Sequence, residues 1–171
     1  EEHGYATLEI SRNINNVFDE PWSAAESPSS GGYQDLDVAD LDGDGLLDIT
    51  VADYLGRIFW VKQETSTAPA LERQVINTDN IDISQLRHYD FNGDGYDELI
   101  SVERGSNRIR IYPNAEGILG DPYTIISSLD ATRIDIGPID GDTIADILIA
   151  GGDNHVVRYL PGNGDGTFGE L

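Results

Sequence analysis

One pattern returns three times along the chain. It reads "LDVADLDGDGLLDITVADYLGRIFWV" from Leu36, "LRHYDFNGDGYDELISVERGSNRIRIY" from Leu86 and "IDIGPIDGDTIADILIAGGDNHVVRYL" from Ile134. The copies start 50 residues apart and then 48. A repeat of this length is a supersecondary unit that cannot bury an apolar face alone and must stack on its neighbours. Units of about 40–50 residues with several short strands are in the range of propeller blades.

Each copy has the same internal grammar. A short alternating strand comes first, with Leu36 and Val38 set against Asp35 and Asp37; Leu86 with His88 and Ile134 with Ile136 are its counterparts. An acidic, glycine-rich loop follows. Then come the β-branched runs Ile49 to Ala52, Leu99 to Val102 and Ile147 to Ala150, which read as strands buried on both faces. A turn at Gly56, at Gly105 with Ser106, or at Gly151 with Gly152 leads to a third strand, "RIFWV", "RIRIY" or "VVRYL". A fourth segment follows a polar turn, as in "PNAEGILGDPYTI" from Pro113 and "PGNGDGTFGEL" at 161–171.

The N-terminal stretch "YATLEISRNINNVFDEPWSA", residues 5–24, matches a third strand, turn and fourth strand, with Phe18 falling where Phe168 falls in the last copy. The expected fold is therefore all-β: a single, partial β-propeller over 1–171 built from four-stranded antiparallel blades. It comprises a half blade at 5–25 and blades at 33–77, 81–126 and 133–171, about three and a half repeats. Residues 23–32, "SAAESPSSGG", read as a loop.

Alternation of carboxylates gives the chemistry. In "DLDGDGLLD" Asp40, Asp42 and Asp44 occupy every second position, Gly45 permits the sharp turn, and Asp48 returns at the ninth. A tightly curled loop brings such side chains to one centre, and hard oxygen ligands in this number suit Ca²⁺. The Leu46 carbonyl is the expected additional ligand. An EF-hand starts in the same way but needs a bidentate Glu at the twelfth position between two helices, where this chain has Val51 inside an apolar strand. The second loop offers Asp90, Asn92, Asp94, the Tyr96 carbonyl and Glu98, with Asp97 pointing away, and is expected to bind. In the third, Pro138 takes the first ligand position and Thr143 replaces a glycine, leaving Asp140, Asp142 and Asp146 as an incomplete or weak site.

Composition narrows the partners. Ten Lys and Arg against 32 Asp and Glu give a formal net charge of −22, which repels nucleic acid and anionic lipid alike and favours cations. The chain has no cysteine, so thiolate metal sites and disulfides are excluded. No run approaches the ~18 apolar residues of a membrane span. His3, His88 and His155 sit at unrelated places in the repeat, and no nucleophile elbow, phosphate loop or histidine pair at metal spacing occurs. No catalytic residue is assigned, and His88 is expected to be packed. Trp60, aligned with Arg110 and Arg158, is expected to pack between blades; Trp22 and Tyr33 are candidates for stacking on a sugar ring.

The stretches "DLDGDGLLDITVA" from Asp40, "DFNGDGYDELISV" from Asp90, the degenerate "IDGDTIADILIAGG" from Ile139 and "GNGDGTFGEL" from Gly162 resemble the FG-GAP family, also described as the VCBS-type repeat. This family builds the integrin α-subunit propeller and many bacterial extracellular propellers. The resemblance implies structural calcium and an extracellular or cell-surface module for adhesion or for binding a glycan or protein. Two further readings remain open: the building block of an extracellular fibre or surface assembly, and the non-catalytic part of a polysaccharide-active enzyme. Three and a half blades do not close, and an open array leaves strand edges unpaired. The partners expected are therefore further blades of a longer chain, or self-association as a two-chain ring or a filament.

Overall fold

The computed structural model describes residues 6–11, 13–14, 17–18, 22–27, 32–64, 71–77, 79–127, 129–151 and 156–171. Among them there is no α-helix, only one 3-10 turn at Arg104–Ser106. The first full blade is β5(Tyr33–Ala39), β6(Asp48–Asp53), β7(Ile58–Gln63) and β8(Leu71–Asn77), antiparallel and in sequence order. The second is β9(Ile83–Tyr89), β10(Glu98–Glu103), β11(Arg108–Tyr112) and β14(Tyr123–Ile126), with the small hairpin β12(Asn114–Ala115)–β13(Ile118–Leu119) inserted before its outer strand.

The third unit departs from expectation. It is three-stranded among the described residues: β15(Ala131–Gly137), β16(Asp146–Gly151) and β17(Val156–Leu160). The expected fourth segment at 161–171 is a turn closed by a Gly162–Phe168 bridge, the counterpart of the β12–β13 hairpin and not of an outer strand.

At the N-terminal side, β1(Ala6–Ile10) pairs with β4(Trp22–Ser27), and between them lies the hairpin β2(Asn13–Ile14)–β3(Val17–Phe18). This is the order of β11, β12, β13 and β14. Phe18 pairs with Asn13 as Leu119 pairs with Asn114 and Phe168 bridges Gly162. The loop expected at 23–32 is corrected over 23–27, which belong to β4. A Ser/Ala-rich segment has weak strand preference of its own; the β1 ladder supplies the hydrogen bonds that override it.

The apolar runs are the central strands, and their burial explains the composition. Every residue of β10 is buried, and β6 is buried except for partly covered Ile49. Ile100, Val102, Ile109, Ile111, Ile134, Ile147 and Ile149 form one core between the second and third blades. Ala52, Ile58, Ile83, Leu86, Leu99 and Tyr112 form another between the first and second. Truncating a residue such as Ile100 to Ala costs about 2–5 kcal/mol in a core of this kind.

The first strands do not pair with one another through their backbones. Side chains bridge them instead. Asp35 Oδ2 accepts from the Leu86 N–H at 2.7 Å and Asp37 Oδ2 from the His88 N–H at 3.0 Å. Gln85 repeats the link to the third blade, accepting from the Ile134 N–H at 2.6 Å and donating to the Ile134 carbonyl at 3.2 Å. The expected alternation exists: Asp35 and Asp37 face the next blade, while Leu36 and Val38 are 50% and 49% exposed. The corresponding Leu86 and Ile134, covered by a preceding blade, are 0% and 5% exposed.

Topology sorts the loops. Connections from first to second strand, and the small hairpins, lie at one end of the blades. Connections from second to third strand and from one blade to the next lie at the other.

Candidate metal centre

The first acidic loop leaves β5 at Asp40 and enters β6 at Asp48. Its backbone turns twice through left-handed glycines, Gly43 at φ 74° and Gly45 at φ 86°. That path folds the alternate carboxylates inward: one oxygen from each of Asp40, Asp42 and Asp44 lies within 4.8 Å of the others. Asp40 Oδ2 accepts from the Gly45 N–H at 2.8 Å, and Asp44 Oδ1 from the Leu46 N–H at 2.9 Å. Asp48 is 0% exposed. Its Oδ1 accepts from the Gln63 N–H at 2.8 Å, while Oδ2 has no hydrogen-bond partner, and neither does the buried Asp40 Oδ1. Burial pushes the Asp48 carboxyl above the usual carboxylate range, and the charge of Asp42 adds to the shift, against the lowering influence of the Gln63 N–H, the Trp60 indole and the Leu41 backbone. Orphaned buried carboxylate oxygens cost free energy that a hard cation offsets, so the donor set fits Ca²⁺.

Lys62 was not anticipated. Its ammonium sits on Asp42 Oδ2, so one of the loop's charges already has a tethered counter-ion.

The second loop, from Asp90 to Glu98, curls through the same kind of turn, but the carboxylates of Asp90, Asp94 and Glu98 do not gather as those of the first loop do. Asp90 accepts from the N–H groups of Gly93 at 2.7 Å and Gly95 at 2.9 Å; Asp94 accepts from that of Tyr96 at 2.9 Å. Glu98, 3% exposed, takes the Phe91 N–H at 2.9 Å on Oε2 and the Asn92 amide at 3.1 Å on Oε1. Burial raises its pKa, as do the charges of Asp94 and Asp90. Burial raises the Asp97 pKa, with the charges of Asp90 and Asp37 adding to the shift and that of His88 opposing it.

In the third loop the protein supplies the donors. Asp146 Oδ1 accepts from the Gly162 N–H at 2.9 Å and Oδ2 from the Ile139 N–H at 2.8 Å. Burial works to raise the Asp146 pKa, but these backbone N–H groups outweigh it and hold the carboxyl low. The Tyr159 hydroxyl donates to Asp140 Oδ2 at 2.9 Å, with Asp146 Oδ1 at 3.5 Å. Desolvation, the Asp140 hydrogen bond and the surrounding carboxylates push that phenol up to about 12. Asp142 is exposed, and the three carboxylates do not gather as those of the first loop do.

Neighbouring blades cover the loops. The tip of the β12–β13 hairpin sits on the first loop so closely that a Cβ on Gly117 would lie 2.8 Å from Asp42 Cβ. The turn at 162–168 sits on the second: the Gly166 N–H donates to the Phe91 carbonyl at 3.1 Å, and Phe168 meets Phe91 edge-on at 5.2 Å. No local sequence signal marks these contacts.

The alignment of Trp60 with Arg110 and Arg158 is corrected by one residue. Thr50 pairs with Trp60, Ile100 with Ile111 and Leu148 with Tyr159, because the turn into the third strand is one residue longer in the second and third blades. Trp60 packs with Ala39, Leu41 and Leu119, the last from the next blade. Arg110 instead pairs with Glu103 and with Asp79 at 2.8 Å.

His88 is packed, its side chain 2% exposed, with Nδ1 at 3.1 Å from Asp37 Oδ2 and Nε2 at 3.1 Å from Thr50 Oγ1. Thr50 is 0% exposed, so this Asp–His–Thr line ties two blades and presents no hydroxyl to a substrate. Tyr33 is half-buried opposite Asp53. His3, His155, Gly152 and the Trp22 side chain lie outside the described residues.

No curated protein matches the chain. The family model described as "FG-GAP-like repeat" matches residues 90–149, from Asp90 at the start of the second loop to the central strand of the third blade. Together with four-stranded antiparallel sheets whose first two strands are joined by an acidic glycine loop, that match shows that the chain carries FG-GAP-like repeat sequence over residues 90–149.

Proposed function

We propose that this chain is a calcium-stabilised, propeller-type module that works outside the cell, secreted or at the cell surface, in adhesion to a glycan or protein. The observation that carries the reading is the pair of buried, unpartnered oxygens, Asp48 Oδ2 and Asp40 Oδ1, beside three clustered carboxylates. A calcium ion would be held by Asp40, Asp42, Asp44, Asp48 and the Leu46 carbonyl. A second would be held by Asp90, Asn92, Asp94, Glu98 and the Tyr96 carbonyl. The ion's contribution is to neutralise converging charge. The chain's own residues set the curl of the loop, bury its base and lock it under the neighbouring hairpin. An ion bound only by the folded state stabilises it by RT ln(1 + [L]/Kd), about 2.7 kcal/mol at a hundred times Kd.

Thermal unfolding and calorimetric titration with Ca²⁺ test this. A raised midpoint and two sites per chain support it, and an unchanged midpoint in chelator and in calcium sinks it.

The half-exposed Leu36 and Val38 favour a second, compatible reading, in which further blades or a second copy cover that face and the module is a unit of a larger assembly. Light scattering with calcium and with chelator distinguishes a discrete oligomer from an open polymer, and a monomer in both conditions removes self-association.

A further inference from the structure

At the blade ends opposite the metal loops, a cavity of about 660 Å³ opens where all three blades meet. The first blade contributes Gln34 and Tyr54, the second Ser84 and Arg104, the third Arg133, and Asp82 comes from the connection between the first two. Its charge is unusual for this chain. Arg57, Lys62, Arg87, Arg108 and Arg110 each sit on a carboxylate. Arg104, Arg133 and Arg158 are exposed and, among the described residues, pair with none, and the first two of them line this cleft. Arg133 is held across the seam between blades by the carbonyls of Ser84 and Thr132, the latter at 3.2 Å. Its guanidinium is thus anchored with its charge unmet. Arg104 has its backbone fixed by the bond from its N–H to the Asp82 carbonyl at 2.8 Å.

The rest of the lining selects among anions. The Tyr54 ring is 58% exposed, while Ile83, the only aliphatic lining residue, is 0% exposed. The other walls are amide, hydroxyl and carboxylate, with Asp82 Oδ1 accepting from the Gln34 amide at 2.6 Å. Such a lining offers an apolar peptide side chain nothing. It offers a polyol donors and acceptors, one aromatic face and two guanidinium forks matched to a carboxylate.

We propose that this axial cleft binds a uronic-acid unit of an acidic polysaccharide, with Arg104 and Arg133 on its carboxylate and Tyr54 against its ring. The inference rests on reading the chain as a binding module and names the ligand class. The net charge of −22 makes it demanding, since the molecule as a whole repels polyanions. Beyond about 8 Å at physiological salt that repulsion is screened, and within the cleft the two cations outnumber the one carboxylate, Asp82.

Calorimetric titration of the full chain in calcium-containing buffer, against a β-1,4-linked glucuronate tetramer, cellotetraose and poly-L-glutamate, tests it. The uronate tetramer is expected to bind, with cellotetraose and the Arg104→Gln variant each roughly tenfold weaker, the loss of one charge-assisted contact. Arg133→Gln is expected to act likewise. Because Arg133 also braces a seam, the exposed Arg104 is the decisive position, provided its variant keeps the parent's unfolding midpoint. Equal affinity for cellotetraose, or unchanged uronate affinity in Arg104→Gln, overturns the proposal. So does poly-L-glutamate binding that falls in the same variants, which would make the ligand an acidic peptide and leave the binding-module reading intact. Silence with all three probes overturns the cleft assignment, and capture on a broad glycan and matrix-protein array then judges the module reading separately.

Discussion

The Asn114 side-chain amide donates to the Leu41 carbonyl at 2.8 Å, across 73 residues of sequence. The same Nδ2 reaches the Asp97 carbonyl at 3.0 Å. One residue at the base of the β12–β13 hairpin thus holds a carbonyl of each of the first two acidic loops, and it is 2% exposed. The loops that would carry calcium are coupled through it.

Replacing Asn114 with Ala leaves two loop carbonyls without that donor, one of them in a fully buried contact. The cost expected is about 1–3 kcal/mol. Urea unfolding in chelator measures it, and calcium titration of the same variant is expected to show both strong sites weakened together. Loss at one site alone would show that the loops act independently.

The first and third loops are expected to respond differently to the same change. Asp48→Asn removes a charge whose Oδ2 lacks a partner, so the calcium-induced rise in midpoint should shrink. Asp140→Asn alters a residue already served by Tyr159, so the rise should persist. Scanning calorimetry with and without calcium decides, and equal losses would mean that the third loop is a full site.

Much of this was legible because it is local. Carboxylates at alternate positions with glycines between them specify a curled loop whatever surrounds it, and the β-branched runs behind each loop specify a central strand. The alternation at Asp35, Leu36, Asp37 and Val38 announced two faces, but only the neighbouring blade determines that the acids face inward to its N–H groups. Trp60 was displaced by one position because a single extra turn residue in the later blades is invisible without the ladder. Asn114, Lys62 and the Arg104–Arg133 cleft join residues that lie far apart in sequence or on different blades, and no spacing rule reaches them.

Tyr159 gives a spectroscopic handle on the third loop. Its phenol is pushed up to about 12 by desolvation and its carboxylate neighbours. An acid whose folded pKa is raised contributes stability below its unfolded pKa, near 10, and loses it as pH rises through the folded value. Absorbance titration should show a late tyrosine step that Tyr159→Phe abolishes. A late step that survives in that variant would refute the assignment of the raised phenol to Tyr159 on Asp140.

The metal-free protein should show an inverted pH dependence over the mildly acidic range. Asp48 and Glu98 both have folded pKa values raised above the unfolded ones, so their contribution is present below the ordinary carboxylate range and is lost as pH rises toward neutrality. Asp37 and Asp146 are held low and act in the opposite sense, their contribution lost as pH falls below that range. In chelator the unfolding midpoint is therefore expected to rise as pH falls from neutrality toward the ordinary carboxylate range and to fall again below it. With calcium present the first limb should flatten, because the ion replaces the proton as the partner of those carboxylates. A midpoint that falls steadily from neutral pH downward in chelator would mean that the buried carboxylates of the first two loops are not strained in the absence of metal.

Lys62 sets the last expectation. Its ammonium occupies Asp42 Oδ2, and the hydrogen bond to Asp42 raises its pKa further, so it stays charged at any pH at which calcium binds. An ion entering the first loop must displace that contact or share Asp42 with it, and the like charge opposes entry. The second loop carries no such cation among the described residues; its corresponding contact is the neutral Asn92 amide on Asp94 and Glu98. Lys62→Met should therefore tighten calcium at the first loop several-fold while leaving the second unchanged, read as separate phases in a calorimetric titration. If both phases hold still, the ammonium swings clear when the ion arrives and plays no part in setting the affinity.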